Sequence, residues 1–216
     1  MMDVDEKRRL VRGLLREVGR GFAEPHGFPV TNSPGRLFQL LYLSILLRRS
    51  NDYHVAVEAA QRLRDRWDTA QKLAASPYEK RVQLLGKGVR RGTAEVLGEL
   101  AQTVAGRYRG DLRRLRTEAR RDPVRERALL EELPGVDGKV VDLFFREAQI
   151  LWKEVSPFAD PQALSAARKL GLGRTPEDLA ELAEYEESEQ FGWLVGALAQ
   201  IDLDHRHEEI RALAGR

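Results

Sequence analysis

Apolar positions recur every three or four residues along nearly the whole chain. Leu10, Val11, Leu14, Leu15, Val18 and Phe22 fall on one stripe of a 3.6-residue helix. The stretch NSPGRLFQLLYLSILLRR, residues 32–49, is apolar on nearly every side, which predicts a central, enclosed helix. Ser33 is placed to cap it, and Pro34 takes the first helical position, where a missing N–H costs nothing. The same periodicity predicts helices over 52–65, 68–75, 77–85, 92–108, 110–120, 123–132, 139–153, 161–170, 176–186 and 189–212. Strand-like alternation is absent, so the fold class is all-α. Residues 33–152 read as one lobe of short helices. Residues 1–32 plus 153–216 read as a second, discontinuous lobe, the two sharing a cleft. The crossing is expected at KEVSPFADP (153–161), between Pro157 and Pro161.

Composition narrows the class. The chain has 216 residues, 42% hydrophobic and 32% charged, which is globular. No apolar run approaches the roughly 20 residues of a membrane span. The first residues are charged from position 3 and carry no apolar leader, so a cytoplasmic location is expected, nucleoid-associated in a bacterium. With no cysteine there is no disulfide, no thiolate metal site and no cysteine-ligated iron–sulphur cluster. The net charge of +2 hides an uneven distribution: nine arginines against four acids from Arg107 to Arg127, and seven acids without a base from Thr175 to Gln190. Such asymmetry points to a charged partner, nucleic acid foremost, or to a solvated face of intrahelical pairs.

The segment LPGVDGK, 133–139, hands a glycine turn directly to an apolar helix. Gly135 and Gly138 can take positive φ and expose their N–H groups, and the helix start adds further donors. Several N–H dipoles converging in this way suit a phosphate oxygen. A second glycine-bearing turn, GKGVRRG (86–92), offers Lys87, Arg90 and Arg91 to phosphate.

Together these segments resemble the helix–hairpin–helix DNA glycosylase superfamily, and within it the endonuclease III-like members. The family motif L-P-G-V-G-x-K-x-A is matched in order and spacing by Leu133, Pro134, Gly135, Val136 and Lys139. SPGRLFQLLYLSILLRRSNDYHVAVEAAQRL (33–63) is similar to the family's central helix and its successor. VQLLGKGVRRGTAEVL (82–97) is similar to its glycine-bearing turn, and FADPQALSAARKLGL (158–172) to the segment that carries its aspartate. The likeness covers 33–173. It implies a two-lobed helical fold and a partner in double-stranded DNA that contains a lesion or abasic site. It implies no membrane and no protein partner for a monomeric enzyme, and no cofactor beyond a monovalent cation at the hairpin. Gly135, Val136 and Gly138 would meet the DNA backbone.

The chain also departs from the family pattern. Asp137 stands where the second hairpin glycine is usual, leaving Gly138 to take over the turn one position later. Val141 replaces a small alanine. The glutamine that fills the gap of an extruded base falls near Ser50, which is too short for that task, so Arg48, Arg49 or Asn51 is left to do it. The four-cysteine cluster of the family's C-terminus is missing, which places the likeness with an iron–sulphur-free branch.

In lyase-type members, the lysine at the position of Lys139 attacks C1′ of a flipped nucleotide and forms a Schiff base, assisted by an aspartate that Asp160 matches. The attack needs a neutral amine, whereas a free lysine titrates near 10.4. A helix dipole of about 0.3–1 kcal/mol moves that by less than one unit, so the chemistry requires Lys139 to be enclosed. Otherwise it is a point charge for phosphate. Asp160 also reads as the N-cap of DPQAL, compatible with stabilising an oxocarbenium-like transition state. The expected activity is therefore glycosylase/AP lyase, with Lys139 and Asp160 as catalytic residues. Two further readings stay open: a monofunctional glycosylase in which Asp160 activates water, and a non-catalytic DNA-binding module. A helical protein-docking domain using the acidic 175–190 face is a third class. His205 and His207, two apart on one helix, point to different sides, and no metal site is expected. Trp67, Trp152 and Trp193 read as core.

Overall fold

The computed structural model describes residues 2–183 and 188–213. Among them are thirteen α-helices: α1 (Val4–Val18), α2 (Pro34–Arg49), α3 (Tyr53–Arg66), α4 (Ala70–Ala74), α5 (Tyr78–Leu85), α6 (Thr93–Tyr108), α7 (Leu112–Glu118), α8 (Pro123–Glu131), α9 (Gly138–Ala148), α10 (Pro161–Leu170), α11 (Pro176–Leu182), α12 (Ser188–Leu203) and α13 (His207–Leu213). The described residues form no strand, and the one β-bridge among them joins Ser50 to Val89. The fold is all-α, as the periodicity predicts.

Short polar residues set where the helices begin. Asp3 and Glu6 form a reciprocal capping box on α1, and Thr175 and Asp178 do the same on α11. Asp52, Thr69, Asp111 and Asp122 each accept a backbone N–H of the helix that follows. Ser33 occupies the cap position of α2 without a side-chain hydrogen bond, so Pro34 alone marks that start.

Two compact units divide the chain, residues 1–27 plus 145–216 and residues 28–144. The sequence pattern puts these limits at 33 and 152. The division lies earlier at both places, and inside α9, between Phe144 and Phe145, because a continuous helix carries no sequence mark of where its packing partners change. In the 28–144 unit, α2 is the axis: Leu37 through Leu46 are all buried, and α3, α6 and α7 pack on it. In the other unit, Leu10, Leu14, Ala163, Ala167, Leu194 and Leu198 anchor one core from α1, α10 and α12.

Two helices end sooner than their apolar pattern suggests. α9 stops at Ala148 and a 3₁₀ turn follows at Lys153–Val155, so helix does not reach 153. The run expected over 189–212 breaks after Leu203, where His205 takes φ +56°, and restarts as α13. The end of the helix expected over 176–186, with three of the seven acids of the 175–190 run, lies outside the described residues.

Candidate nucleic-acid interface

The hairpin between α8 and α9 owes its shape to one glycine. Leu133 and Val136 are buried, and the Val136 N–H returns to the Leu133 carbonyl at 3.1 Å. Gly135 between them has φ +77°, and a Cβ there would overlap Cγ1 of Val96 on α6. Backbone conformation and close packing both exclude a side chain. Gly138 does not share this role: it is the first residue of α9 and takes no positive φ. The expectation that it replaces the second hairpin glycine is thus corrected, and the reason is Asp137. Its Oδ1 accepts the Val140 N–H at 2.9 Å, which makes it the N-cap of α9. Its Oδ2 accepts from Nε of Arg48 at 3.2 Å. Val141, in place of a small residue, is fully buried.

The Arg48 contact joins the hairpin to the end of α2, and a second set of bonds joins that end to the GKGVRRG turn. Arg49 Nε donates to Thr93 Oγ1 at 2.9 Å, and its Nη2 to the Arg91 carbonyl at 3.3 Å. The Arg90 N–H donates to the Arg49 carbonyl at 3.0 Å, and Ser50 bridges Val89. Gly86, Gly88 and Gly92 all take positive φ in this turn. Three loops that the sequence singles out separately are therefore fastened together within the 28–144 unit. Arg49 is spent on holding them, which removes it from the candidates for filling a gap in DNA. Arg48 is half-buried and Asn51 exposed, while Lys87, Arg90 and Arg91 are exposed. Beside the turn, Tyr78, Val82, Arg90 and Arg91 rim a cavity of about 310 Å³. Tyr78 and Val82 are among the few large apolar side chains left exposed, and no sequence pattern singles them out.

Lys139 is exposed on the first turn of α9 and makes no hydrogen bond or ion pair among the described residues. The enclosure that Schiff-base chemistry requires is not present in the protein alone. Arg127 braces the turn from α8, donating to the Gly138 carbonyl at 3.2 Å and pairing with Asp142 at 2.6 Å. The Leu133 carbonyl accepts the Val136 N–H and the Gly138 carbonyl accepts from Arg127. Much of the basic 107–127 run is internally balanced: Arg107 with Glu118 and Glu132, Arg113 with Asp111, Arg125 with Asp122. Arg113 holds the Asp111 carboxyl below the usual carboxylate range.

Asp160 belongs to the other unit. It caps α10, accepting the Ala163 N–H on Oδ1 at 3.0 Å. Its Oδ2 accepts from Nη1 of Arg146 at 3.0 Å, and the side chain is only 4% exposed. Arg146 is equally buried, lies over the Phe22 ring, and donates Nε to Glu147 at 3.3 Å. Glu147 in turn accepts the N–H groups of Phe22 and Ala23. Burial pushes the Glu147 carboxyl above the ordinary range, against the pull of Arg146 and those two N–H groups. Both Asp160 oxygens thus have protein partners. Arg146 and Glu147 escape a reading of the sequence, because REAQ at the end of an apolar helix looks like an ordinary solvated turn.

The remaining candidates behave structurally. His207 pairs with Asp202 at 3.1 Å, and His205 sits in the break before α13. No group of three metal-binding side chains occurs among the described residues, and no helix among them is long and apolar enough to cross a membrane. Trp152 is core; Trp67 and Trp193 are half-buried, and Arg20 lies 4.7 Å above the Trp193 ring.

No protein-family model matches the sequence, and no curated protein matches it. The fold does have solved counterparts. A non-covalent endonuclease III–DNA complex is similar at TM-score 0.54 and 16% identity, over 93% of this chain and 86% of that one. A trapped endonuclease III–DNA covalent intermediate, an estranged-adenine complex, gives 0.53 and 16% over the same shares. A thermostable thymine-DNA glycosylase gives 0.56 and 19% over 93% and 88%. The chain shares the all-α fold of these three structures.

Proposed function

We propose that this protein is a DNA base-excision-repair glycosylase that takes a damaged or abasic nucleotide out of the duplex, with AP lyase chemistry at Lys139. The observation that carries the reading is the fastening of hairpin, α2 end and 86–92 turn into one basic surface with Lys139 beside it. A flat run of exposed cations would serve any polyanion. A glycine turn held in register against the end of α2 by Arg49 instead suits a backbone of fixed geometry.

On this reading Lys87, Arg90 and Arg91 meet phosphates, and Gly135, Val136 and Gly138 line the hairpin's approach to the strand. Extrusion costs a few kcal/mol of stacking, least at a damaged or abasic site. The covering strand then supplies the enclosure that Lys139 lacks in the free protein. At an abasic site the Nζ lone pair adds to the C1′ aldehyde and water leaves, giving an imine. Loss of a C2′ proton then expels the 3′ phosphate oxygen with its bonding electrons. With a base still attached, the same attack breaks the C1′–N bond and the base departs with the electron pair. No cofactor enters this scheme, and any hairpin cation has a structural part only.

One observation favours a second reading. Asp160 has both oxygens committed to Ala163 and Arg146, the arrangement of a structural cap in a DNA-binding module without the reaction. Borohydride trapping on an abasic-site duplex separates the two. The proposal expects a covalent adduct that Lys139→Ala abolishes; salt-sensitive DNA binding with neither adduct nor strand cleavage would remove the lyase chemistry, and base release from a lesion-bearing duplex would then separate a monofunctional glycosylase from the module. DNA binding that is absent or insensitive to salt would remove both.

A further inference from the structure

The seat that a helix N-terminus and a glycine turn offer to an anion is already filled here, by a carboxylate of the chain itself. Asp137 Oδ1 takes the Val140 N–H, and the Asp137 carbonyl takes that of Val141. A phosphate arriving at the start of α9 meets a like charge and fewer open donors. Asp137 also holds Arg48 by Nε, at 3.2 Å, which leaves the two Nη groups outside that bond. The pair is partly solvent-exposed, 35% for the Arg48 side chain and 53% for Asp137, so it can exchange partners. Arg49, the neighbouring cation, cannot take this part, because Thr93 and the Arg91 carbonyl hold it.

We infer that Asp137 is a specificity-determining residue, acting on the surface proposed above to discriminate interrupted from intact duplex DNA. By occupying the phosphate seat and holding Arg48, it weakens the grip on an undamaged duplex. A duplex with a gap in its stack offers Arg48 a place to go, and the long guanidinium side chain fills it once it leaves Asp137. Discrimination follows from a repulsive element set against the wrong ligand as much as from attraction to the right one.

Asparagine and serine both cap helices well, so Asp137→Asn and Asp137→Ser remove the charge and keep the start of α9. Fluorescence anisotropy on an intact duplex, and on the same duplex with a tetrahydrofuran abasic analogue, reads the effect across a salt series. Both variants are expected to bind the intact duplex about three- to tenfold tighter. Their salt dependence should steepen by close to one phosphate equivalent, about 0.9 in log–log slope. Binding to the abasic duplex changes little, so the abasic-to-intact preference falls by the same factor. Adding Arg48→Ala should weaken the abasic complex selectively. Equal shifts on both duplexes, or no shift on either with thermal melts unchanged, would overturn the assignment while leaving DNA binding intact. This inference rests on that binding: if the wild-type chain shows no salt-dependent binding to either duplex, the proposed function falls first and this inference with it.

Discussion

The Arg146 guanidinium and the Asp160 carboxylate form an ion pair at 3.0 Å with each side chain 4% exposed or less. Neither charge meets water, and Glu147 adds a second carboxylate on Arg146. Removing the cation strands two carboxylates in the interior. Breaking a buried pair by deleting one partner costs about 3–5 kcal/mol, far more than an exposed pair contributes. Arg146→Met, which keeps most of the volume, is therefore expected to lower stability by about that amount in urea titration. A loss below about 1 kcal/mol would mean that the network is solvated in solution.

Glu147 gives the same network a pH signature. Its folded-state carboxyl is shifted upward by burial. The sign follows from linkage: a raised folded pKa contributes stability that is fully present below the ordinary carboxylate pKa and is lost as pH rises through the folded value. Glu147→Gln cannot titrate, and it loses one acceptor among the donors of Phe22, Ala23 and Arg146, an offset of about 1–3 kcal/mol. Whatever that offset, the difference between wild type and variant should move in the variant's favour as pH rises from about 4.5 upward, using the ordinary carboxylate value as the lower edge. Parallel stability curves from about pH 4 to 9 would show that Glu147 does not carry the shift.

Asp160 shows which parts of this molecule are legible from residues alone. Asp-Pro ahead of an amphipathic run names a cap, and the cap is there; its ionic partner, fourteen positions earlier in the chain, is not written in any local pattern. Arg146 stands in the last turn of α9 beside Glu147 and looks solvated until residues 22–23 close over Glu147. The hairpin divides similarly. L-P-G-V marks the turn because only glycine tolerates φ +77° there, but whether Gly138 or Asp137 completes it depends on which begins the helix. Capping by Asp137 prevails, for the reason that favours short polar side chains at helix starts generally. Arg48 and Arg49, adjacent and chemically identical, are inseparable in sequence and are separated by what each one touches.

Gly135 tests the hairpin itself. Any side chain there is strained by the positive φ, at about 1–3 kcal/mol, and its Cβ would overlap Val96. Gly135→Ala should therefore destabilise the protein by about 2–4 kcal/mol once overpacking is added. Pairing it with Val96→Ala should recover only the packing part. Full recovery in the double variant would place the cost in sterics alone.

The arginines around the GKGVRRG turn should separate affinity from stability. Arg90 and Arg91 are exposed, and their side chains carry none of the bonds that hold the turn. Replacing both by alanine should leave the melting temperature unchanged and weaken binding to all duplexes alike. The log–log salt slope should fall by about 0.9 for each phosphate that is no longer neutralised. Arg49→Ala removes the bonds to Thr93 and the Arg91 carbonyl, leaving acceptors unfilled at about 1–3 kcal/mol. Its binding defect should track loosening of residues 86–93, seen as faster amide exchange there, with a smaller change in salt slope. A phosphate-binding Arg49 would reverse the pattern, lowering the slope while leaving exchange and melting temperature as they were.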